Sequence, residues 1–156
     1  MLRFYHKNFT DLSITELYDL LRLRSAVFVV EQHCPYQDVD GKDKNGLHLF
    51  AYNNSDLIAY ARILKKGIAY TDYVSIGRVV IAPHLRTKGY GHQLMDEAIA
   101  VCRHYFPAET IKISAQSHLE EFYKTHYFVP TGETYLEDDI PHIGMILNNE
   151  HLNRLP

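Results

Sequence analysis

The sequence has little cysteine, no tryptophan and no long apolar run. Its two cysteines, Cys34 and Cys102, lie far apart, which argues against a disulfide framework and favours a reducing compartment. No stretch reaches the roughly 18 to 20 apolar residues that a membrane span needs. Residues 1–10 also lack the apolar core of a secretory signal. We therefore expect a cytoplasmic protein that has no membrane partner.

An excess of basic charge is missing too. The 16 lysines and arginines are outnumbered by 19 aspartates and glutamates, so the net charge is −3 with neutral histidines. A surface that binds nucleic acid normally shows a basic excess, so we expect no nucleic-acid partner. The chain also lacks repeats and linker-like segments, and its apolar residues are spread along the whole length. This composition predicts a single domain over residues 1–156.

The hydrophobic pattern predicts the element order β-α-βββ-α-β-α-ββ. The S-x-x-E sequence at 13–16 is a capping box that starts the first helix, and a second one at 117–120 is expected to open the short third helix. The last two strands are expected at 127–131 and 142–147. Antiparallel strands followed by a strand–helix–strand crossover favour an α/β (α+β) fold, with a mixed sheet and helices on both faces.

The most informative segment is a buried strand, Val79–Ile81, that leads through a basic turn into the second helix. Free N–H groups at a helix N-terminus bind phosphate or pyrophosphate, and glycine lets an anion approach the backbone. Arg86 and Lys88 add positive charge to this turn. The Rossmann pattern G-x-G-x-x-G and the P-loop pattern G-x-x-x-x-G-K-[ST] are both absent, which disfavours a nucleotide-triphosphate site.

The turn has the pattern R-x-x-G-x-G, at Arg86, Gly89 and Gly91, and resembles the pyrophosphate loop of the GNAT superfamily of N-acyltransferases. The predicted element order is similar to that fold over essentially the full chain. Several further blocks are similar to the ElaA-type branch of the superfamily; they lie at 23–24, 26–32, 34–38, 40–41, 59–64, 77–79 and 140–145.

This resemblance implies a GNAT fold with a V-shaped splay in the central sheet and acetyl-coenzyme A as the acyl donor. The implied contacts of the pantetheine arm are Val79, Val80, Ile81, Gln116 and Tyr123. The implied contacts of the pyrophosphate are Arg86, Thr87, Lys88, Gly89, Tyr90 and Gly91.

The same resemblance implies that Tyr123 is the general acid. It lies in a segment similar to F-Y-x-x-x-G-F, in which Tyr127 stands where the family has glycine. The alternative interpretation makes Tyr123 an aromatic residue at the edge of the core and Gln116 a residue that starts a helix.

No single residue stands out as the general base. The candidates on segments expected at the acceptor side are Glu31, Asp38, Asp40, His48 and His142. Glu31 and His142 rank first. The alternative for Glu31 is that it caps the end of the first helix, and for the acidic segment that it is simply solvated.

The acidic segment 31–43 would suit a cationic amine by charge complementarity. The predicted substrate-binding residues are Arg78, Asp38, Asp40 and His48. Because a charge in an apolar strand is costly to bury unless it is paired, Arg78 has three interpretations. It could bind a substrate carboxylate, hold one of the acidic residues, or lie on the exposed face of the sheet.

The spacing of the histidines does not match ordinary metal ligands, so we predict no metal site. The leading prediction is an acetyl-coenzyme A dependent N-acetyltransferase. It would move the acetyl group to a primary amine of a small molecule or peptide by direct attack in a ternary complex. One alternative is a non-catalytic sensor or interaction module that keeps the acyl-coenzyme A site; another is a plain protein-interaction domain. Exposed C-terminal strands could pair across a homodimer.

Overall fold

A computed structural model describes residues 1–148, so the last eight residues of the predicted domain lie outside the described residues. The strands are β1 (Phe4–Asn8), β2 (Gly46–Asn53), β3 (Asp56–Leu64), β4 (Val74–Ile81), β5 (Ile111–Gln116), β6 (Val129–Glu137) and β7 (Ile140–Leu147). The α-helices are α1 (Ile14–Arg24), α2 (Tyr90–Tyr105) and α3 (Glu120–Lys124). This order is the predicted one. Within residues 1–148, no helix is both long and apolar enough to cross a bilayer.

All seven strands form one sheet in the order β1-β2-β3-β4-β5-β7-β6. Every neighbouring pair is antiparallel except β4 and β5, which are parallel. Those two strands pair only at their first residues, Val74 with Ile111 and Ser75 with Lys112. Beyond that point they separate, which confirms the mixed sheet with a central V-shaped splay.

Helices cover both faces of the sheet. Side chains alternate between the two faces along each strand, so neighbouring residues pack in different cores. On β3, Ile58 and Tyr60 pack in one apolar cluster with Leu20 of α1. Their neighbour Ala59 packs in the other cluster with Leu94 of α2. The two cores therefore lie on opposite sides of the same strands.

The first helix begins where the capping box predicts. The backbone N–H of Glu16 donates to the Ser13 hydroxyl at 3.0 Å, and the N–H of Ser13 donates to the Glu16 carboxylate at 2.8 Å. Past α1 the chain continues as a π-helix over Ser25–Glu31, in which the N–H of Gln32 donates to the carbonyl of Val27 at 3.1 Å. This wider helical segment leads directly to the gap in the sheet.

Two local predictions were wrong. The second capping box does not form, because a 3-10 turn over Ser117–Leu119 precedes α3 and neither start has a side-chain cap. The sixth strand is longer than the predicted 127–131 and runs to Glu137, with every residue exposed. An edge strand with both faces in water has no apolar alternation to mark its end.

Candidate functional site

A cavity of about 640 Å³ fills the gap between β4 and β5. Its walls come from the π-helix, the second half of β4, the ends of β5 and β7, and α3. The wall residues named in the sequence predictions are Glu31, Arg78, Val79, Val80, Ile81, Arg86, Gly91, Gln116, Tyr123 and His142. The structure thus brings together residues from most of the length of the chain.

Strand β4 enters this cavity through a bulge. Tyr60 of β3 is paired with Val80 and Arg62 is paired with Gly77, so two residues of β4 oppose one residue of β3. Arg78 lies in the bulge with φ +51°, in the left-handed region. Beyond Ser75 the other edge of β4 pairs with no strand among residues 1–148. Its backbone groups there are available to an extended ligand.

The turn that carries R-x-x-G-x-G lies at the mouth of the cavity. Thr87 and Gly89 have φ values of +69° and +79°, and α2 begins at Tyr90 with no side-chain cap on its first turn. Thr87, Lys88 and Gly89 are exposed. A Cβ atom added to Gly91 would meet the Phe122 ring at 3.6 Å, an ordinary contact. The uncapped N–H groups and nearby cations fit a pyrophosphate group.

Arg86 is paired with Glu31 across the mouth of the cavity. Its two terminal nitrogens donate to the two carboxylate oxygens at 2.5 and 2.8 Å. This bond to the guanidinium lowers the pKa of the exposed Glu31 carboxyl below its ordinary value. A carboxylate held in this way is a weaker proton acceptor.

Tyr123 lies on α3 with its side chain 8% exposed and on the cavity wall. Burial raises the pKa of its hydroxyl to about 12, so the phenol stays protonated at neutral pH. Tyr127, the departure from the family pattern, has φ +71° and donates its N–H to the Lys124 carbonyl at 3.0 Å. The tyrosine therefore adopts the left-handed turn that glycine adopts easily.

His142 lies on β7 and is 7% exposed. Its Nδ1 donates to the carbonyl of Ile140 at 2.7 Å, and its Nε2 lies 3.2 Å from a carboxylate oxygen of Glu137. The ring of Tyr135 stacks on it with a centroid distance of 6.1 Å. His142 and Glu137 together form a polar pair on the cavity wall.

Three arginines and three aspartates form a largely buried network that reaches the cavity at Arg78, which we call the arginine–aspartate cluster. Its members are Arg24, Arg62, Arg78, Asp38, Asp40 and Asp43. Asp43 accepts hydrogen bonds from Arg24 at 2.7 Å and from Arg62 at 2.9 Å. Arg62 also donates two bonds to Asp40, at 2.8 and 2.9 Å. The formal charges of the cluster cancel.

The structure places Asp38, Asp40 and His48, three of the predicted substrate-binding residues, away from the cavity wall. Asp38 accepts from Nε of Arg24 at 2.9 Å, and Asp40 is held by Arg62. His48 is buried, with Nε2 2.8 Å from the Asp43 carbonyl and Nδ1 2.7 Å from the Tyr60 hydroxyl. These groups are engaged with protein partners and hold the segment after the π-helix against the sheet.

Burial and hydrogen bonding shift the pKa values of Asp40, Asp43 and His48. Burial alone would raise the pKa values of Asp40 and Asp43, but hydrogen bonds from Arg62 and Arg24 respectively lower them below the ordinary aspartate value. Burial lowers the pKa of His48, so its imidazole is neutral. Asp40 and Asp43 are therefore charged at neutral pH, opposite the arginines that hold them.

The sequence predictions missed Arg24, Arg62 and Glu137. Arg24 lies on the inner face of α1 and Arg62 lies inside an apolar strand, and both are almost fully buried. The anomaly that singled out Arg78, a charge among apolar neighbours, also marks Arg62. Within the described part of the chain, no group of three histidine, cysteine, aspartate or glutamate side chains is arranged to hold a metal ion.

Comparison with known proteins places this geometry in context. Residues 14–149 match the acetyltransferase (GNAT) domain family. The chain is 46% identical to the protein ElaA of Escherichia coli over 147 residues, which cover 93% of this chain and 95% of that protein.

Solved structures agree with the sequence match. The crystal structure of E. coli ElaA has a TM-score of 0.88 at 44% identity, covering 94% of this chain and 99% of that one. An acyl-CoA N-acyltransferase from Pseudomonas aeruginosa has a TM-score of 0.88 at 45% identity with the same coverage. A Bacillus subtilis acetyltransferase in complex with CoA shares the fold, with a TM-score of 0.65 at 21% identity over 95% of this chain and 99% of that one.

Proposed function

Since the chain belongs to the GNAT acetyltransferase family, we propose that it moves an acetyl group from acetyl-coenzyme A to a primary amine by direct attack in a ternary complex. The observation that carries the proposal is the cavity in the gap between β4 and β5. It joins the basic turn Arg86–Gly91 at one end to a buried tyrosine and a histidine within the same space. A thioester donor with a long arm and a pyrophosphate matches that sequence of groups.

The donor would lie along β4, with its arm following Val79, Val80 and Ile81 and its polar contact at Gln116. Its pyrophosphate would lie in the turn Arg86–Gly91, where Arg86 and Lys88 supply charge and the first turn of α2 supplies N–H groups. Exposed Thr87 and partly buried Tyr90 complete that turn. Binding of both substrates in register would supply much of the rate acceleration.

Acetyl-coenzyme A supplies a thioester whose carbonyl carbon accepts the lone pair of the amine. Backbone N–H groups at the bulge of Arg78 and Val79 are suited to stabilise the charge that develops on the carbonyl oxygen. Tyr123 would give a proton to the departing thiolate, since its raised pKa keeps the hydroxyl protonated until the carbon–sulfur bond breaks.

We assign removal of the amine proton to His142, with Glu137 beside it, rather than to Glu31. The Glu31 carboxylate is engaged by Arg86, and its lowered pKa makes it a poor base. His142 is buried on the cavity wall, its Nδ1 donates to the Ile140 carbonyl, and its Nε2 lies 3.2 Å from the Glu137 carboxylate, whose side chain is 54% exposed. We propose that the Glu137 carboxylate turns towards the incoming amine, which leaves Nε2 of the neutral ring as the proton acceptor. That nitrogen is suited to take the proton directly or through a water molecule.

A titration of acetyl-coenzyme A into the wild-type protein, Gly91→Ala and Gly91→Glu tests the donor site. We expect saturable binding by the first two and loss of binding by Gly91→Glu, because only that variant brings a negative charge to the turn. The space at Gly91 tolerates the added Cβ in both variants. A folded wild-type protein that binds no acetyl-coenzyme A would overturn the proposal.

Turnover separates the enzyme from a non-catalytic module on the same fold. Both bind acetyl-coenzyme A, whereas only the enzyme releases free thiol when an amine is present. Binding without thiol release across primary amines of varied charge would support the sensor or interaction module instead.

A further inference from the structure

The guanidinium of Arg78 lies on the cavity wall at the bulge of β4, and contacts with the segment after the π-helix fix its position. Nε of Arg78 lies 2.7 Å from a carboxylate oxygen of Asp38, and Nη2 donates to the Asp38 carbonyl at 3.1 Å. The Tyr36 ring centroid lies 5.5 Å from the guanidinium carbon. These contacts anchor the planar group and leave the side chain 23% exposed.

The same contacts leave one edge of the guanidinium for a ligand. Nη1 of Arg78 makes no hydrogen bond with any residue in the range 1–148, whereas Nε and Nη2 face the aspartates. Asp38 and Asp40 are also held by Arg24 and Arg62, so neither carboxylate belongs to Arg78 alone. An arginine fixed in this way suits a carboxylate better than a lysine would, because its N–H groups are planar and directed.

The acidic segment expected to attract a cationic amine does not supply free carboxylates. Asp38, Asp40 and Asp43 are neutralised within the arginine–aspartate cluster, and Glu31 is paired with Arg86. On the cavity wall the remaining polar pair is His142 with Glu137. The cavity therefore offers a site for an amine on β7 and a site for an anion on β4.

We propose that the acceptor is an amine that also carries a carboxylate, with a free amino acid as the simplest case, and that Arg78 binds the carboxylate. This inference rests on the proposed N-acetyltransferase function. In the transfer, the neutral amine nitrogen forms a bond to the thioester carbonyl carbon and the carbon–sulfur bond breaks. His142 takes one proton from the nitrogen, and the thiolate takes one from Tyr123. The products are an N-acetylamino acid and free coenzyme A.

Thiol release with matched acceptors tests the inference. Leucine, phenylalanine, lysine and glutamate are each compared with their α-carboxamide, in the full chain with saturating acetyl-coenzyme A. The amine of an amino-acid amide loses its proton more readily, so basicity alone favours the amides. For the best side chain we expect kcat/KM at least about 10-fold higher for the carboxylate, the range of a charged hydrogen bond. In Arg78→Gln the ratio should fall to about 1 or below, because only the difference in basicity remains.

Asp40→Asn is the matched control, because it disturbs the same cluster and keeps both contacts of Arg78 with Asp38, while it alters only the longer contact with Asp40 at 3.4 Å. It should keep the wild-type ratio. Arg78→Lys keeps the charge and loses the planar group, so it should give an intermediate ratio of kcat/KM for acid and amide. It replaces Arg78→Gln in the test if that variant does not fold.

The outcomes separate the two proposals. Thiol release with equal kcat/KM for acids and amides in the wild-type protein, or a preference that survives in Arg78→Gln, overturns the inference and leaves the acetyltransferase function standing. An acetyl-coenzyme A complex that releases no thiol with any acceptor overturns the proposed function and this inference with it.

Discussion

Glu31 and Arg86 connect the end of the π-helix to the turn before α2 through two parallel hydrogen bonds. Arg86 is also the guanidinium proposed for the pyrophosphate, so the Glu31 carboxylate competes with the donor for one cation. The pair joins the two sides of the cavity mouth.

Glu31→Gln should therefore bind acetyl-coenzyme A about 2- to 5-fold more tightly, because an exposed ion pair is worth up to about 1 kcal/mol. Calorimetric titration measures the change. Glu121→Gln is the control, since it removes the same charge from an exposed residue on α3 that contacts Lys124 and not Arg86. Weaker binding by Glu31→Gln than by this control would contradict the competition.

Tyr123→Phe should lower kcat about 100-fold and leave the Kd of acetyl-coenzyme A within about 2-fold, since only proton transfer to the thiolate is lost. Steady-state thiol release and calorimetry give the two values. Tyr127→Phe removes a hydroxyl four residues later, outside the residues that line the cavity, and should leave kcat unchanged. Equal kcat in Tyr123→Phe and the wild-type protein would remove Tyr123 from the mechanism.

Asp43→Asn should lower the free energy of unfolding by about 3 to 5 kcal/mol, because it leaves Arg24 and Arg62 without the carboxylate between them. Urea unfolding at neutral pH measures the loss. Asp40→Asn should cost less, since the Asp40 side chain is 20% exposed against 7% for Asp43. If Asp43→Asn lost no more free energy of unfolding than Asp40→Asn, the buried pairs of Asp43 with Arg24 and Arg62 would not be the main contribution of the cluster to stability.

Acid should destabilise the fold through the same carboxylates. The pKa values of Asp40 and Asp43 are lowered in the folded state, so the unfolded chain binds more protons when the pH falls. Their contribution to stability is complete above the ordinary aspartate range and is lost progressively as the pH falls from about 5 towards the lowered values. Urea unfolding from pH 7 to pH 3.5 measures the slope, which should be flatter in Asp43→Asn. Parallel curves for the two proteins would contradict the assignment.

Tyr127→Gly should be more stable than Tyr127→Ala by about 1 kcal/mol, because φ +71° strains a residue that carries a Cβ atom. Thermal and urea unfolding of the two variants give the difference directly. An alanine variant as stable as the glycine variant would mean that the turn relaxes to another conformation.

The sequence predicted the fold well, and it located the turn before α2, because both depend on local signals. The capping box at Ser13 set the start of α1, and the glycine and basic residues from Arg86 to Gly91 marked the turn before α2. The family resemblance placed Tyr123, which the structure locates on the cavity wall.

The charges of the acceptor side could not be predicted in the same way. Asp43 meets Arg24 and Arg62, each 19 residues away along the chain, and Asp38 meets Arg78 from 40 residues away. A run of acidic residues in a sequence does not show that arginines from three different elements will neutralise it. The length of β6 was missed for another reason: in an edge strand whose residues are all exposed, apolar and polar residues need not alternate, so the sequence does not show where the strand ends.

The short parallel pairing of β4 with β5 divides the backbone hydrogen bonds of the sheet into two nearly separate sets. Strands β1 to β4 form one set and β5 to β7 the other, and only Val74 and Ser75 pair across the boundary. Side chains of the α2 core span that boundary, and their packing is less directional than a ladder of backbone bonds. Amide hydrogen exchange should therefore reveal two protected units that open independently, so the width of the gap adjusts without the loss of either ladder.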